Sequence, residues 1–588
     1  MTSTRKLAIV AASALLGMLG SPRHSNAQGF QVEEPVHFDT SQPFGTMGAA
    51  AAAAAARNGE PTREVPNRDI PLAPMRHRAK PEANEQAPAP AAVPRPFPAQ
   101  IILKVDGISQ GRNYEPPWPL FPPDANGSAG VDRYVQWVNT AVAIFDKADG
   151  HMVPVGGSPP GPFDGNALWK GFGGKCEEDN DGDPIVIYDK MANRWVMSQF
   201  AVKDGPPFSE CIAVSVSKDP AGSYHRYEYR FQNFDDYPKF GVWPDGYYAT
   251  FEMWRHDSFL GGAACAFERA RMLDGQKARM VCFNPSEPDA TRAGALLPAD
   301  LDGVQLPPSG SPEYIVGFST DDTLKIWNFL VDWSKPLNSR VTGPFSVSVP
   351  QFQPACFVTA DNNWQASCAL QPHTQQRIDV LSDRLMYRAA YRNFGTHESL
   401  LLDHTVAVES ASGIRWYELR RSGIGAGIDD PAFAVFQQGT VAPDRAFRWL
   451  PSIAMDKAGN ILLAYAVSST DQFPSLAATG RLAADPGGAM SQEVIIGKGE
   501  RAVPVNRWGD YGSVSIDPAD DCTFWVTGEF LGASAATGVA ASSETQVASS
   551  AMAKPTAQTG GHEASESLEQ GDLDWDTVVA SIRFPTCK

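Results

Sequence analysis

Residues 513–530 read SVSIDPADDCTFWVTGEF. An apolar run ends at Asp517, a short turn of small and acidic residues follows, and an aromatic-rich run returns from Thr523. Two other stretches share this grammar: residues 183–202, DPIVIYDKMANRWVMSQFAV, turn at Asp189, and residues 452–469, SIAMDKAGNILLAYAVSS, turn at Asp456. Each reads as strand, Asp, a few turn residues, strand. The Asp carboxylate suits such a turn because it accepts backbone N–H bonds. The runs KFGVWPDGYYATFEMW, TLKIWNFLVDW and GIRWYELRR are of the same kind, bounded by Gly, Pro, Asp and Asn. A chain made of such hairpins lays small antiparallel sheets side by side, and the closed form of that array is a β-propeller. Asp189, Asp245, Asp456 and Asp517 stand one or several blade lengths apart, at roughly 40–50 residues per blade. The all-β domain over 99–588 is therefore expected to hold seven blades, or six with larger insertions. A β-sandwich array is the competing arrangement.

The flanks have a different character. Residues 1–27 carry a basic start at Arg5 and Lys6, an apolar run from Leu7 to Leu19 and a small-residue end at Ser25-Asn26-Ala27. That is the pattern of a secretory signal peptide, and the run is too short for a spanning helix, which needs roughly 20 residues. Residues 28–98 include the run Ala49–Ala56 and the stretch KPEANEQAPAPAAVPRPFPAQ. So few large apolar residues bury too little surface to fold alone, and the segment reads as a disordered Pro/Ala-rich linker. A second such stretch, about 535–572, reads as a disordered insertion before the last strand, DTVVASIRFPTC.

Export makes the compartment oxidising, secreted or periplasmic, and gives the eight cysteines a structural reading. Eight cysteines allow 105 connectivities, and the expected one among them is sequential: Cys176 with Cys211, Cys265 with Cys282, Cys356 with Cys368, and Cys522 with Cys587. The net charge of −18 argues against nucleic acid and anionic membrane surfaces, which recruit Lys and Arg. The expectation is a monomer with no membrane span.

SIDPADDCTFW resembles the Asp-box turn of sialidase-like propellers, Ser-x-Asp-x-Gly-x-Thr-Trp. Ser515, Asp517, Thr523 and Trp525 match it, with the turn lengthened and the Gly replaced. Ser452, Asp456 and Gly459 offer a second, altered copy. Over roughly 120–530 the chain is similar to a family of exported bacterial propellers of unassigned function. The similarity lies in Pro122-Pro123-Asp124-Ala125-Asn126-Gly127 through Tyr134-Val135-Gln136, in GDPIVIYD at 182–189, in RWGDY at 507–511 and in DCTFW at 521–525. The resemblance implies a fold and an extracellular or periplasmic location rather than a reaction. It makes Asp517 and Trp525 structural. A sialidase would add an Arg clamp, a Tyr–Glu nucleophile pair and an Asp acid/base; the Arg motif near the chain start is absent, and no Tyr–Glu pair can be assigned.

Candidate ligand-binding residues come from the Arg-Trp pairs. Arg448 and Arg507, on adjacent expected blades, could converge on an anion near the axis, since Arg binds carboxylates bidentately; otherwise each pairs with a neighbouring carboxylate or stacks on an aromatic. In Arg507-Trp508-Gly509-Asp510-Tyr511, Asp510 would serve as an acid or base if buried, or simply satisfy Arg507, with Tyr511 beside it. In CEEDNDGDP, Asp179, Asp181 and Asp183 alternate around Gly182 as oxygen donors for Ca²⁺, although the spacing departs from the EF-hand loop. Two functions remain open: a binding or interaction propeller for an extracellular glycan or protein, and a glycoside hydrolase or polysaccharide lyase using Arg and carboxylates in the central funnel.

Overall fold

The computed structural model describes residues 29–46, 95–114, 120–155, 160–285, 294–320, 322–356, 367–422, 433–533 and 573–588, with two short strands at 24–25 and 63–64. The sequence readings for residues 1–27, apart from 24–25, for 47–94 of the linker, apart from 63–64, and for the 535–572 insertion lie outside the described residues.

The described chain is a β-propeller. Its strands fall into consecutive meandering antiparallel sets, the fourth and fifth of them joined by parallel pairing of their inner strands, Ala299 with Ala389 through Asp302 with Arg392. The innermost strands of the sets are Asn126–Ala129, Gly182–Asp189, Phe234–Val242, Leu297–Asp302, Ala389–Asn393, Phe447–Met455 and Ser513–Ile516. Each touches the next in that order, directly or through its hairpin, and the last touches the first, so they line a closed ring. Closure is made by chain ends. The strand Gln100–Asp106, from the start of the domain, pairs antiparallel with Asp576–Arg583 and completes the last sheet. Cys522–Cys587 ties the same sheet, and Cys176–Cys211, Cys265–Cys282 and Cys356–Cys368 complete the sequential pairing.

The core lies between the sheets rather than under one of them. Trp137 and Trp169 of the first set pack with Trp195 of the second, and Ile212 and Tyr229 of the second with Phe240 and Phe267 of the third. Ala454 and Leu462 pack with Val526 and Val578, while Trp525 and Val579 meet Tyr134 and Phe145 across the closure. Because each sheet is covered on both faces, the inner strand Gly182–Asp189 is buried at every position. Such strands read as continuous apolar runs rather than alternating ones.

The hairpin turns form as the Asp residues require. Asp517 accepts the Ala519 N–H through Oδ1 and the Trp525 indole N–H through Oδ2, both at 2.9 Å. Asp456 accepts from the amides of Ala458 and Asn460, and Asp189 from those of Met191 and Ala192.

The expected linker over 28–98 needs correction in its first part. Gln31–Glu33 adds to the outer edge of the third sheet by pairing with Met280–Cys282, and His37–Thr40 adds to the second by pairing with 225–228. Phe30 is the anchor the composition concealed: it is fully buried between Phe283 and Phe329. Phe44 is buried too, against Phe163 and Tyr224, so two large aromatics beside two sheet edges supply the burial that the segment's average composition lacks. Among the described residues, no helix is long and apolar enough to cross a membrane.

Candidate functional site

The inner strands run from an entry end to an Asp turn. In Gly182–Asp189 the turn Asp lies a strand length, roughly 20 Å at about 3.3 Å per residue, from the entry. The entries are irregular in a repeated way. Asp183, Tyr237 and Leu450 each have positive φ and each precedes a proline. In each of those strands the pairing register slips at that point. Asp124, just before the first inner strand, has positive φ too. Asp tolerates this left-handed conformation because its short side chain bonds locally. The bulge takes the residue out of the ladder, freeing its side chain from the sheet face.

Asp510, Asp124 and Asp183, from three successive sets around the closure, thereby gather. The Asp510 N–H donates to Asp124 Oδ1 at 2.5 Å. Asn139 links the other two: its Nδ2 donates to Asp124 Oδ2 at 2.7 Å, and its Oδ1 accepts the Asp183 N–H at 3.0 Å. Arg507 Nη1 donates to Asp510 Oδ1 at 2.5 Å and to the Trp508 carbonyl at 2.6 Å. Gly509 suits this packing, because a Cβ there would stand 3.2 Å from both an Asp124 and a Glu529 carboxyl oxygen and push them back by a few tenths of an ångström.

The third set adds a cation. Lys239 is fully buried, its Nζ 3.3 Å from the centroid of the Tyr237 ring and 4.1 Å from that of Tyr511. The Tyr511 hydroxyl donates to the Pro184 carbonyl, and that of Tyr237 to the Asp510 carbonyl. Arg384 also lies over the Tyr237 ring, 4.9 Å from its centroid, and pairs with Asp383 and Glu252.

Burial and mutual charge drive these groups apart. Burial, then the charge of Asp510, pushes Asp124 up to about 6. Asp183 is raised by burial and by Asp236 and Asp124. Burial alone would raise Asp510 as well, but Arg507 beside it holds it below the usual carboxylate range. Burial pulls Lys239 down to about 8 against the pull of the surrounding carboxylates. Carboxyls of unlike proton affinity beside a lysine poised near neutrality can accept hydrogen bonds from hydroxyls, hold an anionic group or exchange a proton.

The sequence candidates divide accordingly. Arg507, Asp510 and Tyr511 belong to this cluster. Arg448 does not: it is fully buried on two hydrogen bonds to Glu493 at 2.9 Å each, one to Asp444 and one to the Ala446 carbonyl. The two arginines do not converge on a common anion, since each is committed to carboxylates of its own sheet. The proposed calcium triplet is also divided. Asp181 Oδ2 accepts the amides of Val202 and Lys203. Asp179 is pushed up to about 6 by burial and by Asp181, while Asp183 turns to the axial cluster. Among the described residues no three acidic, His or Cys side chains are gathered in a metal-holding group.

Sequence reasoning missed Lys239, Tyr237 and Arg384, and missed Asp124 and Asp183 in their axial role. The signal available for two of them was the recurrent residue-Pro step at strand entries, Asp183-Pro184, Tyr237-Pro238 and Leu450-Pro451.

No protein-family model matches the chain, and no curated protein matches it. Solved structures with similar arrangements include an endo-arabinase from Bacteroides thetaiotaomicron, at 10% identity and TM-score 0.26, covering 52% of this chain and 95% of that one. Another is the WD40 domain of SCAP from fission yeast, at 8% identity and TM-score 0.33, covering 77% and 82%. A third is the subtype N11 neuraminidase-like protein of A/flat-faced bat/Peru/033/2010, at 10% identity and TM-score 0.28, covering 71% and 99%. At such values the strand pairings remain the ground for the fold, and no activity transfers.

Proposed function

We propose that this is an exported, monomeric, seven-bladed propeller, one blade per inner strand, that binds an extracellular glycan or protein, with a glycan as the better fit. The observation that carries the reading is the convergence of Asp510, Asp124 and Asp183 from three blades on Lys239, Arg507 and the faces of Tyr237 and Tyr511. Carboxylates accept bonds from sugar hydroxyls, and the cations donate to ring oxygens or to a uronate. The four disulfides accord with secretion or a periplasmic location.

A second reading, a glycoside hydrolase or polysaccharide lyase, is favoured by one observation: Asp124 and Asp183 are raised while Asp510 is lowered. Unlike carboxyls side by side are how one site supplies both a proton donor and a base. Incubating the protein with neutral and acidic polysaccharides, and recording soluble products by mass spectrometry, separates the two. Retention without products supports binding. Oligosaccharides lost in Asp510→Asn support hydrolysis, and a product lighter by one water marks a lyase. Neither retention nor products sinks both glycan readings.

A further inference from the structure

Between the second and third sheets lies a polar group that the axial site does not use. Glu210, on the strand Phe208–Ser215, and Asp235, on Phe234–Val242, are both fully buried. Among the described residues, none of their four carboxyl oxygens has a hydrogen-bond partner. They are close enough for the charge of Asp235 to act on Glu210, yet no hydrogen bond joins them, so they do not share a proton. The Ser198 hydroxyl, also buried, lies on the same side of the sheet and close enough to Glu210 to favour its charged form: Glu210 faces Phe200 across the ladder, two residues from Ser198. Phe200, Phe208 and Phe234 pack around this position, with ring centroids 5.5 Å apart in both contacts to Phe234.

Leaving one such carboxyl buried and unbonded is destabilising, and more so when it is charged. The charges that reach these two groups are Asp183, Asp236 and Lys239, so acids outnumber the single cation. That cation faces elsewhere, with Nζ over the tyrosine rings and bonded to the Pro238 carbonyl. Burial pushes Asp235 up to about 8 and raises Glu210, and each is raised further by a neighbouring carboxylate.

We propose that Glu210 and Asp235, with the Ser198 hydroxyl, bind one divalent, oxygen-coordinated cation of the Ca²⁺ type between the second and third blades. Two carboxylates match its charge, and a hydroxyl, backbone carbonyls and water are the neutral oxygens such ions take. The site differs from the acidic loop at 176–184, whose Asp181 is committed to backbone amides. It also lies beside the axial site, so the cation would hold in place the strand that presents Tyr237 and Lys239.

The test uses the whole mature protein, stripped with EDTA, dialysed and titrated with Ca²⁺ alone by calorimetry, with thermal unfolding followed in parallel. The expected result is one Ca²⁺ per chain, a melting temperature lowered by EDTA and restored by Ca²⁺, and affinity at least tenfold weaker in both Glu210→Gln and Asp235→Asn. Asp181→Asn should leave the affinity unchanged. If the carboxyl variants do not fold, Ser198→Ala, which removes no charge, must still weaken Ca²⁺ severalfold. No binding at millimolar Ca²⁺ overturns the proposal. So does binding that survives these substitutions, or that is lost in Asp181→Asn instead. None of these outcomes depends on whether a glycan binds at the axis.

Discussion

At the scale of single residues, burial decides what each charged group does. Arg448 and Arg507 look alike in sequence, each followed by Trp, yet the first closes a local network on Glu493 and Asp444 while the second pairs with Asp510 and feels the charge of Asp124 across the seam. Arg448→Met should therefore cost about 3 kcal/mol in denaturant unfolding, the lower end for a buried pair because Asp444 stays in water. Glycan retention at a temperature where the variant is folded should be unchanged; lost retention at full stability would move Arg448 into the site. Glu252 offers a pH test. Burial raises it to about 8, against Arg384, so the folded protein holds its proton more tightly than the unfolded chain. That contribution to stability is present at low pH and is lost as pH rises from the ordinary glutamate range through about 8. Glu252→Gln cannot lose the proton, so its melting temperature relative to the native protein should rise between about pH 5 and about pH 8.5. A constant difference would show that Glu252 ionises normally in the fold.

At the scale of elements, the turns were the legible part. The Asp of each hairpin could be read from SIDPADDCTFW, SIAMDKAGN and IVIYDKMANRW because a capping carboxylate needs only its own next few amides, which local sequence supplies. Asp517→Ala removes the partner of Ala519 and Trp525 and the ion pair with Lys147. It should cost about 2 kcal/mol and leave ligand retention intact, measured by urea unfolding beside the binding assay. The axial residues were less legible, for a physical reason: Asp124, Asp183 and Asp510 meet only after the ring closes, and no local window contains them. Strand periodicity was muted too, because sheets covered on both faces do not alternate. The N-terminal strands were hidden by averaging, since Phe30 and the short stretch 31–40 are diluted by the Ala and Pro that follow.

At the scale of the molecule, closure and the axial site depend on the same joint. Ser513–Ile516 and Asn126–Ala129 meet at the seam where the ring's first and last sheets join, and Asp510 and Asp124 bond across it. Cys522–Cys587, spanning 65 residues, should contribute about 4 kcal/mol if it acts through the unfolded chain. Replacing both with Ala should lower stability by that order in reversible denaturation, and an unchanged midpoint would show that the strand Gln100–Asp106 closes the ring unaided. The central claim is that the carboxylates gathered at this seam hold a glycan. The most direct measurement is affinity electrophoresis of the native protein, Asp510→Asn, Asp124→Asn and Arg448→Met through gels containing each polysaccharide of a neutral and acidic panel. At least one polysaccharide should retard the native protein and Arg448→Met alike, with retardation falling at least tenfold in both aspartate variants. Retardation that survives both aspartate substitutions, or none with any polysaccharide, would contradict that claim.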